Sequence, residues 1–172
     1  MSTLLNQLLS HTNDHVIITT DCEPDDMIAL AILLPELSKL NIQTDIIVSC
    51  WKDVHTKALF MKCFLANLYE ESHEFSIYTG ISTKANYDIT GLIPQNMIEE
   101  NHKFPDWTRV DFNTATLLIQ LAPINELLTL HQTNPDMFNN TRMAIYGSFN
   151  IRALLQKNIC SIKSVTDLLD SF

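Results

Sequence analysis

The sequence predicts an α/β fold built on a mainly parallel sheet with helices on both faces, and three observations carry that expectation. Short β-branched runs alternate with longer amphipathic runs along most of the chain. The first of these runs, "HVIITT", is short and β-branched and reads as a buried strand, as in a parallel sheet covered on both faces. At 172 residues and 46% apolar content, the chain is one domain long enough for a sizeable core.

The elements follow in order. "HVIITT" (15–20) reads as a buried strand. "DDMIALAILLPELSKL" (25–40) reads as a helix, with Pro24 suited to its first turn and Pro35 marking a kink or stop. "IQTDIIVSC" (42–50) is a second strand, and "DVHTKALFMKCFLANLYE" (53–70) an amphipathic helix whose stripe from Lys57 to Leu68 reads as core packing. "FSIYTG" (75–80), "ATLLIQL" (115–121) and "RMAIYG" (142–147) are further strands, the last two separated by a helical stretch at 123–132. "SVTD" at Ser164 opens a short terminal helix. Crossovers between parallel strands are expected to be right-handed. From Ile81 to Asn113 no period holds, and Gly91, Pro94 and Pro105 interrupt the chain. That segment is either a long loop acting as a lid or a disordered one.

Composition removes several function classes. A net charge of −9 opposes a nucleic-acid backbone, and no dense Lys/Arg run overrides it. With three glycines, the chain has neither GxGxxG nor a P-loop. Cys22, Cys50, Cys63 and Cys160 form no CxxC pair and read as reduced thiols of a cytoplasmic protein. The start lacks a basic n-region and a cleavage site, and no apolar run spans a bilayer, so neither signal peptide nor membrane anchor is expected. The six histidines show no HxxxH or HExxH spacing and read as surface or core residues. Trp51 and Trp107 are candidates for stacking on a nucleobase, although burial is the commoner fate of tryptophan.

One stretch concentrates negative charge beside the core. "TTDCEPDDMIALAILL" holds Asp21, Glu23, Asp25 and Asp26 between the first strand and the first helix. In open α/β sheets ligands bind outside the carboxyl ends of strands, and a helix N-terminus favours anionic side chains. Ionised carboxylates this close still repel, and a hard cation with oxygen ligands would relieve them. The plainer alternative makes Asp21 a helix cap and the rest surface acids matched to the helix dipole. A haloacid-dehalogenase-type phosphotransferase needs Asp-x-Asp after its first strand, and "TTDCE" does not supply it.

The same stretch resembles the N-terminal signature of the inosine–uridine-preferring nucleoside hydrolases, in which Asp-x-Asp is followed after three residues by Asp-Asp opening a helix. Asp21 matches the second Asp, and Asp25 and Asp26 the closing pair. "IIVSCWKDVHTKALFMKCFLANL", "FSIYTGISTK" and "LLIQLAPINELLTLHQTNPDMFNNTRMAIYGSF" resemble later family segments in the same order. The resemblance covers nearly all of this chain and about the first half of a typical family member. It implies a Rossmann-like, nucleoside hydrolase-like fold, truncated, and metal-dependent hydrolysis of the N-glycosidic bond of ribonucleosides. It further implies a Ca²⁺ ion held by Asp21, Asp26 and the carbonyl of Asn125, with Asp21 also the catalytic base. Asp25 would bind a ribose hydroxyl, and Trp51 would stand at the sugar pocket. Departures from the family pattern are Thr19 for its first Asp, Glu23 for a Gly, and Cys50–Trp51 for Gly-Asn. Ala122-Pro123-Ile124-Asn125-Glu126 stands for Gly-Pro-Leu-Thr-Asn, and Tyr146-Gly147-Ser148 for Met-Gly-Gly. The second-half Asp and the His that protonates the leaving base in some members have no counterpart. Two alternatives therefore stand beside catalysis: a relative binding a divalent cation or ribosyl ligand, and a truncated product without a role. A half-fold would bare a strand edge and an apolar face, so self-association or a partner chain is expected, with segment 150–172 covering part of that surface.

Overall fold

The computed structural model describes residues 14–49, 53–69, 75–82, 90–99, 102–115, 117–122, 129 and 142–145. It is a mixed α/β fold. Five strands form one sheet: β1 (His15–Thr20), β2 (Gln43–Val48), β3 (Ser76–Thr79), β4 (Leu117–Gln120) and β5 (Arg142–Ile145). Their order is β3-β2-β1-β4-β5, and every pairing is parallel. The central strand β1 runs beside β2 from His15↔Gln43 to Thr20↔Val48, and beside β4 from Val16↔Leu117 to Thr19↔Gln120. All six β1 residues are buried, which is why "HVIITT" carries no polar alternation.

Two helices fill the connections on one side: α1 (Pro24–Lys39) between β1 and β2, and α2 (Val54–Leu68) between β2 and β3. Helix α1 runs through Pro35 without ending there. Its stop lies at Asn41, whose φ of 54° is left-handed, with Asn41 N donating to Ser38 O and Ile42 N to Leu37 O. That pair of bonds is a Schellman closure, with Leu37 and Ile42 buried in the same cluster. Asp53 caps α2 by accepting from the amides of His55 and Thr56.

The two faces of the sheet are covered differently. Val16, Ile18, Ile46 and Val48 meet Leu30, Leu34 and Leu37 of α1 and Ala58, Met61 and Leu65 of α2. Ile17, Ile47 and Leu118, pointing the other way, meet Trp107, Val110 and Phe112. Helices on both faces were expected; among the described residues α1 and α2 lie on one face, and two short 3₁₀ turns cover the other. Residues 102–115, which form that cover, hold apolar anchors at irregular spacing and no helical period. Asp106 and Asp111 close these turns by accepting from the amides of Thr108 and Asn113. Within the 81–113 stretch the structure also describes a five-residue helix, α3 (Gln95–Glu99), after a 3₁₀ turn at Thr90–Leu92. Trp107 is buried, edge-on to Phe112. The expected helices at 123–132, apart from Thr129, and after Ser164 lie outside the described residues. So does segment 150–172. No described helix is long and apolar enough to cross a membrane.

Candidate functional site

Strand order reverses on either side of β1: the chain goes next to β2 on one flank and later starts β4 on the other. The crevice at the carboxyl ends of β1 and β4 is where such sheets bind ligands. Backbone bonds gather three chain segments at that rim. Ser49 N donates to Thr20 O at 2.9 Å, and Leu121 N and Ala122 N donate to Thr19 O at 2.9 and 3.2 Å.

Asp21 leaves this rim directly, and the turn that follows is held by side chains. Glu23 occupies the N-cap position of α1 without a capping bond of its own, and Pro24 begins the first turn. Asp26, three residues in, ties the start of the helix to the end of the strand. Its Oδ2 reaches back past the cap to accept from the Asp21 amide at 3.1 Å and from the Thr20 hydroxyl at 2.7 Å. A carboxylate at this helix position commonly reaches the cap amide; here it reaches the end of the strand. Thr20 Oγ1 in turn accepts from Cys22 N, and Asp21 Oδ1 accepts from Glu23 N at 3.3 Å. Cys22 sits at a left-handed φ of 57°, a conformation that is costly for a residue with a Cβ. Burial and these bonds hold it there.

Burial and charge act on the two polar groups of the turn. Asp21 is half-buried and its carboxyl is raised to about 6, first by burial and then by the neighbouring charges of Asp26 and Glu23. Lys57 opposes that rise. The Cys22 thiol is pushed up to about 12 by burial, so it is a packing group and not a nucleophile. Cys22 and Cys63 are both free and buried.

Of the residues singled out in the sequence, Asp21 and Asp26 are brought together, and Asp25 is exposed apart from them. Trp51 and Asn125 lie outside the described residues, as do Cys50 and Cys160. Among the described residues no three His, Cys, Asp or Glu side chains are arranged to hold a metal ion. The described carboxylates alone therefore do not fit a calcium shell, which takes six to eight oxygens. Thr19 is fully buried, and its hydroxyl has no hydrogen-bond partner among the described residues.

Lys57 was missed as a site residue. It is 2% exposed, and its ammonium donates to the backbone carbonyl of Asp21. The signal was present in the sequence: Lys57, Met61 and Leu65 are four apart on the buried face of α2, and a lysine there must find a partner. Thr20 was missed as well, since a threonine ending a strand has an ordinary explanation in strand propensity. Away from this rim, a crevice of about 190 Å³ between α2 and the Thr90–Ile98 turn is lined by His55, Leu59, Ile93 and His102. The Lys62 ammonium donates to His102 Nδ1 there at 2.9 Å.

Comparison of the chain with protein-family models, with curated proteins and with solved structures finds no match.

Proposed function

We propose that the acidic turn after β1 is the ligand site of a Rossmann-like, nucleoside hydrolase-like protein that cleaves the N-glycosidic bond of ribonucleosides. One observation carries the reading: Asp21 and Asp26 meet at the carboxyl end of the central strand, where the strand order reverses. The resemblance of "TTDCEPDDMIALAILL" to the family signature supplies the substrate class.

The residue types suit that chemistry. A carboxyl raised to about 6 changes protonation near neutral pH, as a group that takes a proton from water should. In the proposed step Asp21 accepts a proton from water as its oxygen bonds to the anomeric carbon. The C–N bond breaks, and the nucleobase leaves with the bonding pair. Negative charge from Asp21 and Asp26 favours the oxocarbenium-like sugar between these events. Asp26 is buried, and its Oδ2 accepts from the Thr20 hydroxyl and the Asp21 amide, which holds its charge beside Asp21. Asp25, exposed beside the turn, is assigned to a ribose hydroxyl, and Trp51 to the sugar pocket. A Ca²⁺ ion would need Asn125 or other residues outside the described set to complete its shell, and no step above passes through it.

A second reading is favoured by Thr19. Where the family carries a carboxylate, this chain buries a threonine, so the site has one acid fewer. A protein that binds a ribosyl ligand or a divalent cation without turnover accounts for that loss. Release of free ribose from a panel of purine and pyrimidine ribonucleosides separates the readings. Hydrolysis that Asp21→Asn abolishes supports the enzyme. Nucleoside binding without ribose release supports the second reading. Neither binding nor release removes both and leaves a structural turn.

A further inference from the structure

Helix α1 is buried along one stripe and exposed along the opposite one. Asp26, Leu30, Leu34 and Leu37 face the core, whereas Asp25, Ile28, Ile32 and Lys39 face solvent. Steps of three, four and seven residues put these last four on a single line along the helix. The helix dipole explains an acid in the first turn and a lysine in the last. It gives no reason for the two isoleucines between them, which stand 65% and 48% exposed where polar residues are the rule. Asp25 and Lys39 each lie seven residues from Ile32, on opposite sides of it. Reversed end for end, the line is therefore its own complement.

We propose that this line is the contact between two copies of the chain, packed antiparallel about a two-fold axis at Ile32. The contact is isologous: Ile32 meets Ile32, and Asp25 of each copy meets Lys39 of the other. Ile28 falls opposite Glu36 of the second copy and beside its Ile32. The Glu36 carboxylate already accepts from Lys39 at 2.7 Å, so its aliphatic stem is left to the isoleucine. The Lys39 ammonium has three donors and can hold Glu36 and Asp25 of the second copy together. Burial of the isoleucines drives the contact, and the charges fix its direction and register, since exposed ion pairs contribute little energy. One helix line is smaller than a standard interface of about 800 Å² per partner, so dimerisation is concentration-dependent. This contact goes beyond the proposed function and needs no ligand at the acidic turn. The two oxygens of Asp25 allow it to serve both.

Sedimentation over a concentration series tests it on wild type, Asp25→Lys, Lys39→Asp and an equimolar mixture of the two variants. Wild type should dimerise. Each reversal alone sets like charges at both ends of the contact and should weaken dimerisation by roughly tenfold or more. In the mixture a mixed dimer has opposite charges at both ends again, and its affinity should return close to wild type. Ile32→Cys, whose fold the charge changes do not touch, locates the axis. Mild oxidation should link it into a dimer that wild type does not form under the same treatment. Ile28→Cys should not link, because its own copy lies about 12 Å away along the helix, beyond the reach of a disulfide. A wild type that stays monomeric overturns the proposal. So do a dimer that both reversals leave unchanged, a mixture no tighter than its components, and linkage at Ile28 in place of Ile32. None of these outcomes bears on ribose release, so the dimer and the hydrolase reading stand or fall separately.

Discussion

The Thr20 hydroxyl donates to Asp26 Oδ2 at 2.7 Å and so ties the last residue of β1 to the first turn of α1. Both residues are buried, and the same hydroxyl accepts from the Cys22 amide at 3.0 Å. Thr20→Val keeps the shape and removes both bonds, leaving the Cys22 amide without that acceptor. The expected loss is about 1–3 kcal/mol of unfolding free energy. Thr20→Ser should recover most of it. Urea midpoints of the three proteins, compared at constant m-value, check this.

Asp21 gives stability a pH dependence of definite sign. Its carboxyl is raised from 3.8 to about 6 on folding, so the folded state holds the proton more tightly than the unfolded state. As pH climbs through that window the unfolded chain loses its proton first, and stability falls until the folded carboxyl has also ionised. Asp21→Asn should flatten this slope and leave the protein more stable than wild type above the window. Because Asp21 is half-exposed, the gain should be on the order of 1 kcal/mol or less, well under the unscreened value. Denaturant titrations at acidic and neutral pH measure it. The same carboxyl makes any ribose release rise with pH up to about 6 and level off above it.

His15 and Asp45 pair across neighbouring strands at the opposite end of β1. Nε2 lies 3.1 Å from Asp45 Oδ2, and Nδ1 lies 2.9 Å from the Thr114 hydroxyl in the segment covering the second face. Both members of the pair are almost fully buried. Asp45→Ala should cost about 1–3 kcal/mol, because it leaves the buried imidazole without that acceptor. His15→Leu combined with Asp45→Leu should cost much less than either change alone. A double-mutant cycle in Tm and urea midpoint provides the measurement.

How legible all this was depends on which interactions have a period. β1, α1, β2 and α2 were readable because a buried strand and an amphipathic helix repeat their apolar residues at fixed intervals. The helix expected over 25–40 runs from Pro24 to Lys39 and passes through Pro35, since a proline can sit inside a helix when the surrounding packing holds it. The stop came from Asn41 in a left-handed turn, a signal one residue long. The cover over Ile17 and Ile47 was not legible, because Trp107, Val110 and Phe112 reach the sheet from 3₁₀ turns with no repeating pattern. Within the site, the Asp21–Asp26 pairing followed from spacing around a helix start. Lys57 is 36 residues from Asp21, and only the parallel crossover from β1 to β2 and α2 brings it there.

Helix α1 carries a second surface besides its core stripe. Ile28 and Ile32, one turn apart, are 65% and 48% exposed. Apolar side chains in such a row favour association with a further surface. Sedimentation of wild type should show species larger than one chain. The double substitution Ile28→Glu and Ile32→Glu should shift the protein toward monomer without lowering Tm. A monomeric wild type would remove the role of this row in assembly.

The most direct test of the acidic turn as the ligand site is a backbone amide NMR titration of the folded protein with inosine, uridine and free ribose. The expected result is saturable shifts of the Asp21, Cys22, Glu23 and Ser49 amides, with the same amides unresponsive in Asp26→Asn. Shifts confined to His55, Thr56 and His102 at the other crevice, or no shifts with any of the three compounds, would contradict it.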